Sequence, residues 1–237
     1  MDYKKLFHKE EAFQRETFQK RMEEFGFKNM ARMELFLWDL ELFLHIQKIL
    51  GDKIILKGGA ATQFYLPRDA QRTSVDIDML FFGTEEEIKE TLRKIEEYLG
   101  TEDELFYFHK HSPKNPKTNL PLHTYYTKVP SVLSNAERNM ERESIPYQEL
   151  KIELILQPEK WEYERRTGEN IFAVNSSWNY QILPLNHLFA DKLTTLGCNT
   201  IGVQNERLDE QVKQFYDIMM LSRNCISEMQ CSVVKEK

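Results

Sequence analysis

Residues 72–82 read RTSVDIDMLFF, and the rest of the chain is understood outward from this stretch. Side chains alternate between the faces of a strand, so Asp76 and Asp78 point the same way, roughly 6–7 Å apart. Val75, Ile77, Met79 and Phe81 then form the opposite face, which can pack on a core. Two adjacent carboxylates repel, and each raises the other's proton affinity unless a cation sits between them. A hard divalent ion meets that need, because it takes carboxylate oxygens and leaves positions for phosphate and water. The solvated face of an edge strand would also tolerate the pair, and a bare Asp-x-Asp favours that plainer reading.

The flanking sequence reverses that preference. Upstream, KIILK (53–57) is a short β-branched strand that Gly58-Gly59 breaks before a helical AATQFYL. Glycines let backbone N–H groups approach an anion closely, and the start of a helix adds positive partial charge. Alone, such a turn is an ordinary strand-to-helix connection; with the aspartates it reads as a phosphate cradle. Between the two lie Arg72, Thr73 and Ser74, a cation and two hydroxyls suited to a triphosphate. Downstream, Glu153 in KIELIL (151–156) shares a strand face with Lys151 and Ile155. It is either an edge-strand surface group or a third carboxylate facing the pair, the kind of oxygen ligand a two-metal mechanism uses.

Further out, residues 4–29 predict one proline-free helix, and 32–50 a second with apolar groups nearly all round and a stop at Gly51. A helix over 85–99 opens with three glutamates, which suit its positive end. Strands are expected at 105–108, 122–129 and 149–156, and helices at 185–197 and 206–224. The fold class expected is α+β, a mixed sheet flanked by helices, with a body over 1–183 and a C-terminal helical segment over 184–237. In helix 185–197, Leu185, Leu188, Phe189, Leu193 and Leu196 make one apolar arc that also contains Lys192. Either the lysine stem packs while its head reaches water, or the ammonium is aimed into a cleft. Asp217 lies opposite the Leu208/Val212/Phe215/Met219 stripe, so periodicity predicts an exposed acid.

With 237 residues the chain can build a core without disulfides or a structural metal. Its 41% hydrophobic and 30% charged content excludes wholesale disorder. A net charge of −6 excludes a polycation that blankets nucleic acid. The segment 109–128 is a local exception, with four lysines, three histidines and no acid. It reads either as a solvated hairpin loop or as an RNA-binding stretch with Tyr125 and Tyr126 available for stacking. His109 and His111 lack a third ligand at metal spacing. Cys198, Cys225 and Cys231 are an odd number without metal-ligand spacing, the last two near a terminus expected to fray. The beginning of the chain lacks a signal-peptide apolar stretch, and Glu34, Asp39 and Glu41 interrupt the most apolar helix. No membrane association is expected, and the cytoplasm is the expected compartment.

The elements KGGAA (57–61), RTSVDIDML (72–80) and FADKLTTL (189–196) resemble those of the AbiEii/AbiGii-type toxins. That family, which includes the MenT toxins, falls in the DNA polymerase β-like nucleotidyltransferase superfamily. The resemblance spans residues 53 to about 222, and the Arg-x-Ser-x-Asp-Ile-Asp segment is its most specific part. It implies a polymerase β-like core in which Lys57, Gly58, Gly59, Arg72, Ser74 and Lys192 hold nucleotide. Asp76, Asp78 and Glu153 would bind Mg²⁺ or Mn²⁺, and Lys192 and Asp217 would complete the catalytic set. It further implies an NTP substrate, a hydroxyl acceptor such as the 3′ end of tRNA, and a cognate antitoxin. Two rival readings remain at this point: NMP transfer to a protein or small molecule, and a non-catalytic nucleotide-binding regulator.

Overall fold

The strand that carries the two aspartates lies at the centre of a seven-stranded mixed sheet ordered β3-β4-β5-β2-β1-β7-β6. The structure is a computed structural model that describes residues 2–100, 102–112, 121–134, 147–197 and 207–229. The strands are β1 (Ile54–Lys57), β2 (Asp76–Phe82), β3 (His109–His111), β4 (Leu122–Pro130), β5 (Tyr147–Gln157), β6 (Glu164–Gly168) and β7 (Ser176–Ile182). β2 runs antiparallel to β1 and parallel to β5, while β1 runs parallel to β7. This register places Lys57 and Glu153 on either side of Asp78, and Lys151 beside Asp76.

Alternation along the central strands explains which face is covered. Ile77, Met79 and Phe81 of β2 are fully buried with Leu150, Ile152 and Leu154 of β5, whereas Asp76, Asp78, Lys151 and Glu153 lie on the other face. Each such aliphatic side chain contributes about 1.5–3 kcal/mol on burial. Helix α2 (Met30–Leu50) packs on β1, β2 and β5; Asn29 caps it by accepting from the Arg32 N–H at 3.0 Å, and Gly51 with φ +61° ends it. It is buried nearly all round, as its sequence predicts. Helix α4 (Glu85–Leu99) begins in a capping box between Thr84 and Glu87 and turns Ile88, Leu92, Ile95 and Leu99 inward.

Three expectations are corrected. The single helix over 4–29 is broken into two short 3-10 turns and α1 (Arg15–Phe25), because the Phe7 and His8 backbone N–H groups donate to the buried Glu41 carboxylate, which also binds His8 and His45. A tertiary acceptor outbids the local helix bonds there. The strand expected at 105–108 is reduced to a bridge at Leu105, and strand structure begins at His109. β6 and β7 went unforeseen, since β6 is an edge strand of charged residues with no apolar alternation. Beyond the sheet, α3 (Gly58–Gln63) follows β1 directly, and α5 (Leu185–Thr194) and α6 (Leu208–Cys225) pack against it and each other. Among the described residues no helix is long and apolar enough to cross a membrane. Cys225 is buried within α6, not frayed; Cys198, Cys231 and residues 113–120 of the basic segment lie outside the described residues.

Candidate active site

The face of β2 that bears Asp76 and Asp78 opens into a cavity of about 310 Å³. Lys57, Gly58, Gly59, Arg72, Ser74, Glu153 and Lys192 also line it, so nine of the ten predicted site residues face one space. The tenth, Asp217, lies directly behind the wall. Gly58 is required here for two reasons: its φ is +68°, and a Cβ would come 2.1 Å from Asp78 Oδ2. At Gly59 a Cβ would approach Arg72 Nη2 and Ser74 Oγ to 2.9 Å. The glycine pair thus makes room for the groups it was expected to accompany.

Asp217 contradicts the periodicity argument. It is fully buried, while Leu208, Val212, Phe215 and Met219 are 67%, 65%, 56% and 45% exposed. The helix turns its acid inward because two cations wait there. Arg72 donates from Nε and Nη2 to the two Asp217 oxygens at 2.7 and 2.6 Å, and Lys192 Nζ reaches Oδ2 at 2.8 Å. A bidentate, charge-assisted pair of this kind offsets the desolvation of all three groups. Lys192 is accordingly buried, with a second bond to Gln214 at 2.9 Å, and it lines the cavity instead of snorkelling to the outer surface. The Gln63 side chain on α3 accepts from the Arg72 backbone N–H at 2.8 Å, tying the arginine to the glycine turn.

Burial raises the Asp78 carboxyl to about 7; Lys57 opposes the rise, and Glu153 and Asp76 reinforce it. Asp76 is also raised, chiefly by burial, against the opposing charge of Lys151. These are carboxylates short of positive charge. Glu153 is held by Lys151 at 2.9 Å, and Lys57 by Asp191 at 3.0 Å. Among the described residues no three acids, histidines or cysteines are gathered closely enough to hold a metal by themselves. Glu153 therefore lines the cavity without closing on the aspartate pair, because Lys151 on its own strand holds it. Sequence reasoning missed Asp191, the neighbour of Lys192, as well as Arg32 and Lys213 in the lining. Of the two tyrosines offered for stacking, Tyr125 is buried in the core, and Tyr126 lies against the rings of His109 and His111.

The arrangement is thus an Asp-x-Asp strand facing a glycine turn across a cation-lined cavity. The chain belongs to the family described as nucleotidyl transferase AbiEii toxin, type IV toxin–antitoxin system, whose model matches residues 42–235. It is thus a nucleotidyltransferase of a toxin–antitoxin family, with an NTP as substrate and an antitoxin as counterpart. Among solved structures, it is similar to the JHP933 protein of Helicobacter pylori (12% identity, 95% of this chain and 72% of that one, TM-score 0.47). It is also similar to an antigenic nucleotidyltransferase-like protein of Paracoccidioides brasiliensis (14%, 78% and 75%, TM-score 0.44). The polyadenylate synthase of Megavirus is a further neighbour (9%, 87% and 33%, TM-score 0.39). Comparison with curated proteins gave no match.

Proposed function

We propose that the protein transfers an NMP from an NTP to a hydroxyl on an acceptor, the 3′ end of a tRNA, with a divalent cation held by Asp76 and Asp78. The observation that carries this reading is the pair of half-buried carboxylates of raised proton affinity opposite Gly58 and Gly59 in the cavity that Arg72 and Lys192 line. The residues fit a cation: the aspartates lack compensating charge, and their raised proton affinity is what a divalent ion relieves. When bound, Mg²⁺ or Mn²⁺ supplies charge neutralisation at the α-phosphate and the departing pyrophosphate.

The chain's own groups do the rest. Asp217 fixes Arg72 and Lys192 in place, and their remaining N–H groups point charge at the triphosphate. Ser74, buried beside Gly59, offers a hydroxyl to the same phosphates. Glu153 becomes a third carboxylate ligand only by exchanging Lys151 for the cation. The acceptor hydroxyl gives up its proton to solvent as its oxygen bonds to the α-phosphorus, the bond from that phosphorus to the α–β bridging oxygen breaks, and pyrophosphate leaves. Strand β4 supports a nucleic-acid acceptor through Tyr126, whose ring stacks at 6.0 Å from His109 on the same sheet face as Lys151.

The test is incubation of the full chain with α-labelled NTPs, Mg²⁺, cellular RNA and cellular protein, wild type against Asp76→Asn and Asp78→Asn. Label on RNA 3′ ends that both variants abolish is the expected result. Label on protein would replace the acceptor. NTP binding with no pyrophosphate release would refute catalysis.

A further inference from the structure

Most cations around the cavity are already spoken for. Lys57 pairs with Asp191, Lys151 with Glu153, Arg72 and Lys192 with Asp217, and Arg207 with Glu210. Two lining cations, Arg32 and Lys213, have no carboxylate within ion-pair distance among the described residues. The Arg32 side chain makes one long bond, from Nε to the Thr73 hydroxyl at 3.4 Å, and the Lys213 ammonium makes none among the described residues. Both are half-buried, so water screens them only in part.

They come from different ends of the chain. Arg32 lies in the first turn of α2, before the first residue of the family match, and Lys213 lies in the middle of α6. Burial lowers the Lys213 ammonium, and the charges of Arg32 and Arg72 lower it further against Asp76 and Glu210. Three like charges therefore share one corner of the cavity, and only Arg72 has its own carboxylate. Leaving two cations together without a carboxylate in ion-pair contact costs energy in the free protein, and an anion between them reduces that cost. A guanidinium offers a planar fork for phosphate oxygens, and an ammonium a point charge beside it.

We propose that Arg32 and Lys213, brought together across the cavity by α2 and α6, form a phosphate-binding seat additional to the glycine turn. The ligand is a phosphate group, either from the polyphosphate tail of the nucleotide or from the backbone of a polynucleotide acceptor. The identity of the ligand rests on the nucleotidyl-transfer reading above. The seat also gives the N-terminal helices, which lie outside the matched region, a part in the reaction.

The experiment is calorimetry on the full chain with Mg²⁺ and, in turn, ATP, pyrophosphate, sulfate and a short oligoribonucleotide. Wild type is compared with Arg32→Gln, Lys213→Gln and the double variant; Arg32→Lys, which keeps the charge and loses the fork, serves if Arg32→Gln does not fold. A seat predicts about tenfold or greater weakening in the double variant for its own ligand, with the melting temperature held. Loss for ATP and pyrophosphate with the oligonucleotide unchanged assigns the nucleotide tail; the reverse assigns the acceptor backbone. Unchanged affinity for both overturns the seat, and so does equal slight weakening of every anion including sulfate, which marks a diffuse field. Wild-type protein that binds neither ATP nor pyrophosphate refutes the nucleotidyl-transfer reading instead.

Discussion

Replacing Asp217 tests the central arrangement most sharply. The carboxylate is fully buried, the Lys192 side chain 3% exposed and the Arg72 side chain 18% exposed. Asp217→Ala leaves two cations facing each other with no anion. Removing one member of a buried ion pair costs about 3–5 kcal/mol. At about 2–4 °C per kcal/mol for a chain of this size, the melting temperature should fall by about 6–20 °C. Asp217→Asn keeps the shape but not the charge and should lose less. Nucleotide affinity separates positioning from electrostatics. Deleting an acid makes the cavity more positive, which by itself would tighten NTP binding; weaker binding therefore reports that Arg72 and Lys192 have lost their aim. Thermal melts and calorimetric titration with NTP and Mg²⁺ measure both. Asp217→Leu with Lys192→Met should lose less than the sum of the single changes, because the pair shares one interaction. A melting temperature for Asp217→Ala within 2 °C of wild type, with unchanged NTP affinity, would refute the argument.

Other predictions concern the charged groups in and around the aspartate pair. The Asp78 carboxyl, raised from 3.8 to about 7, retains a proton in the folded protein that the unfolded chain has already released. Metal-free stability should therefore fall as pH rises from about 4 through 7, and Mg²⁺-dependent NTP binding should strengthen as pH passes 7; melts at pH 5 and pH 8, with and without Mg²⁺, check both signs. Asp39 on α2 is fully buried with neither oxygen hydrogen-bonded, and burial, then Asp76 and Asp78, push its carboxyl well up. Asp39→Asn should stabilise the protein by about 1 kcal/mol or more at pH 8 and by less at pH 5, read from urea melts; a gain independent of pH would contradict the reasoning. Gly58→Ala should cost about 1–2 kcal/mol for its left-handed backbone and displace Asp78, abolishing Mg²⁺-dependent nucleotide binding. Wild-type binding by a folded Gly58→Ala protein would show that the Asp78 carboxylate does not need that space.

The site was more legible than the frame around it. Asp76, Asp78, Gly58 and Gly59 sit within one strand–helix–strand unit, where an alternating period and a glycine pair are local signals that survive folding. The N-terminal helix failed because its backbone bonds are broken by Glu41, an acceptor more than thirty residues away. Strand β6 gave no signal, since an edge strand needs no apolar alternation, and its inner neighbour β7 buries only the end of its length, Tyr180 to Ile182. Asp217 was placed on the wrong side of α6 because hydrophobic periodicity assumes that the apolar stripe seeks the core. Here two buried cations decide the rotation of the helix, and no spacing rule sees them.

By itself the sequence determined the α+β class, the strand that bears the carboxylates and the residue types of the cavity, because these follow from the period of side chains and the freedom of glycine at short range. Only the tertiary structure decided which charges meet. Arg72, Lys192 and Asp217 come from three separate segments, and Lys57 with Asp191, like Arg32 with Lys213, from two. Their pairing depends on distances and burial that exist only once α5 and α6 have closed on the glycine turn. Coulomb energies change several-fold between water and the interior, so the same charges that interact only weakly in the unfolded chain fix the site when folded.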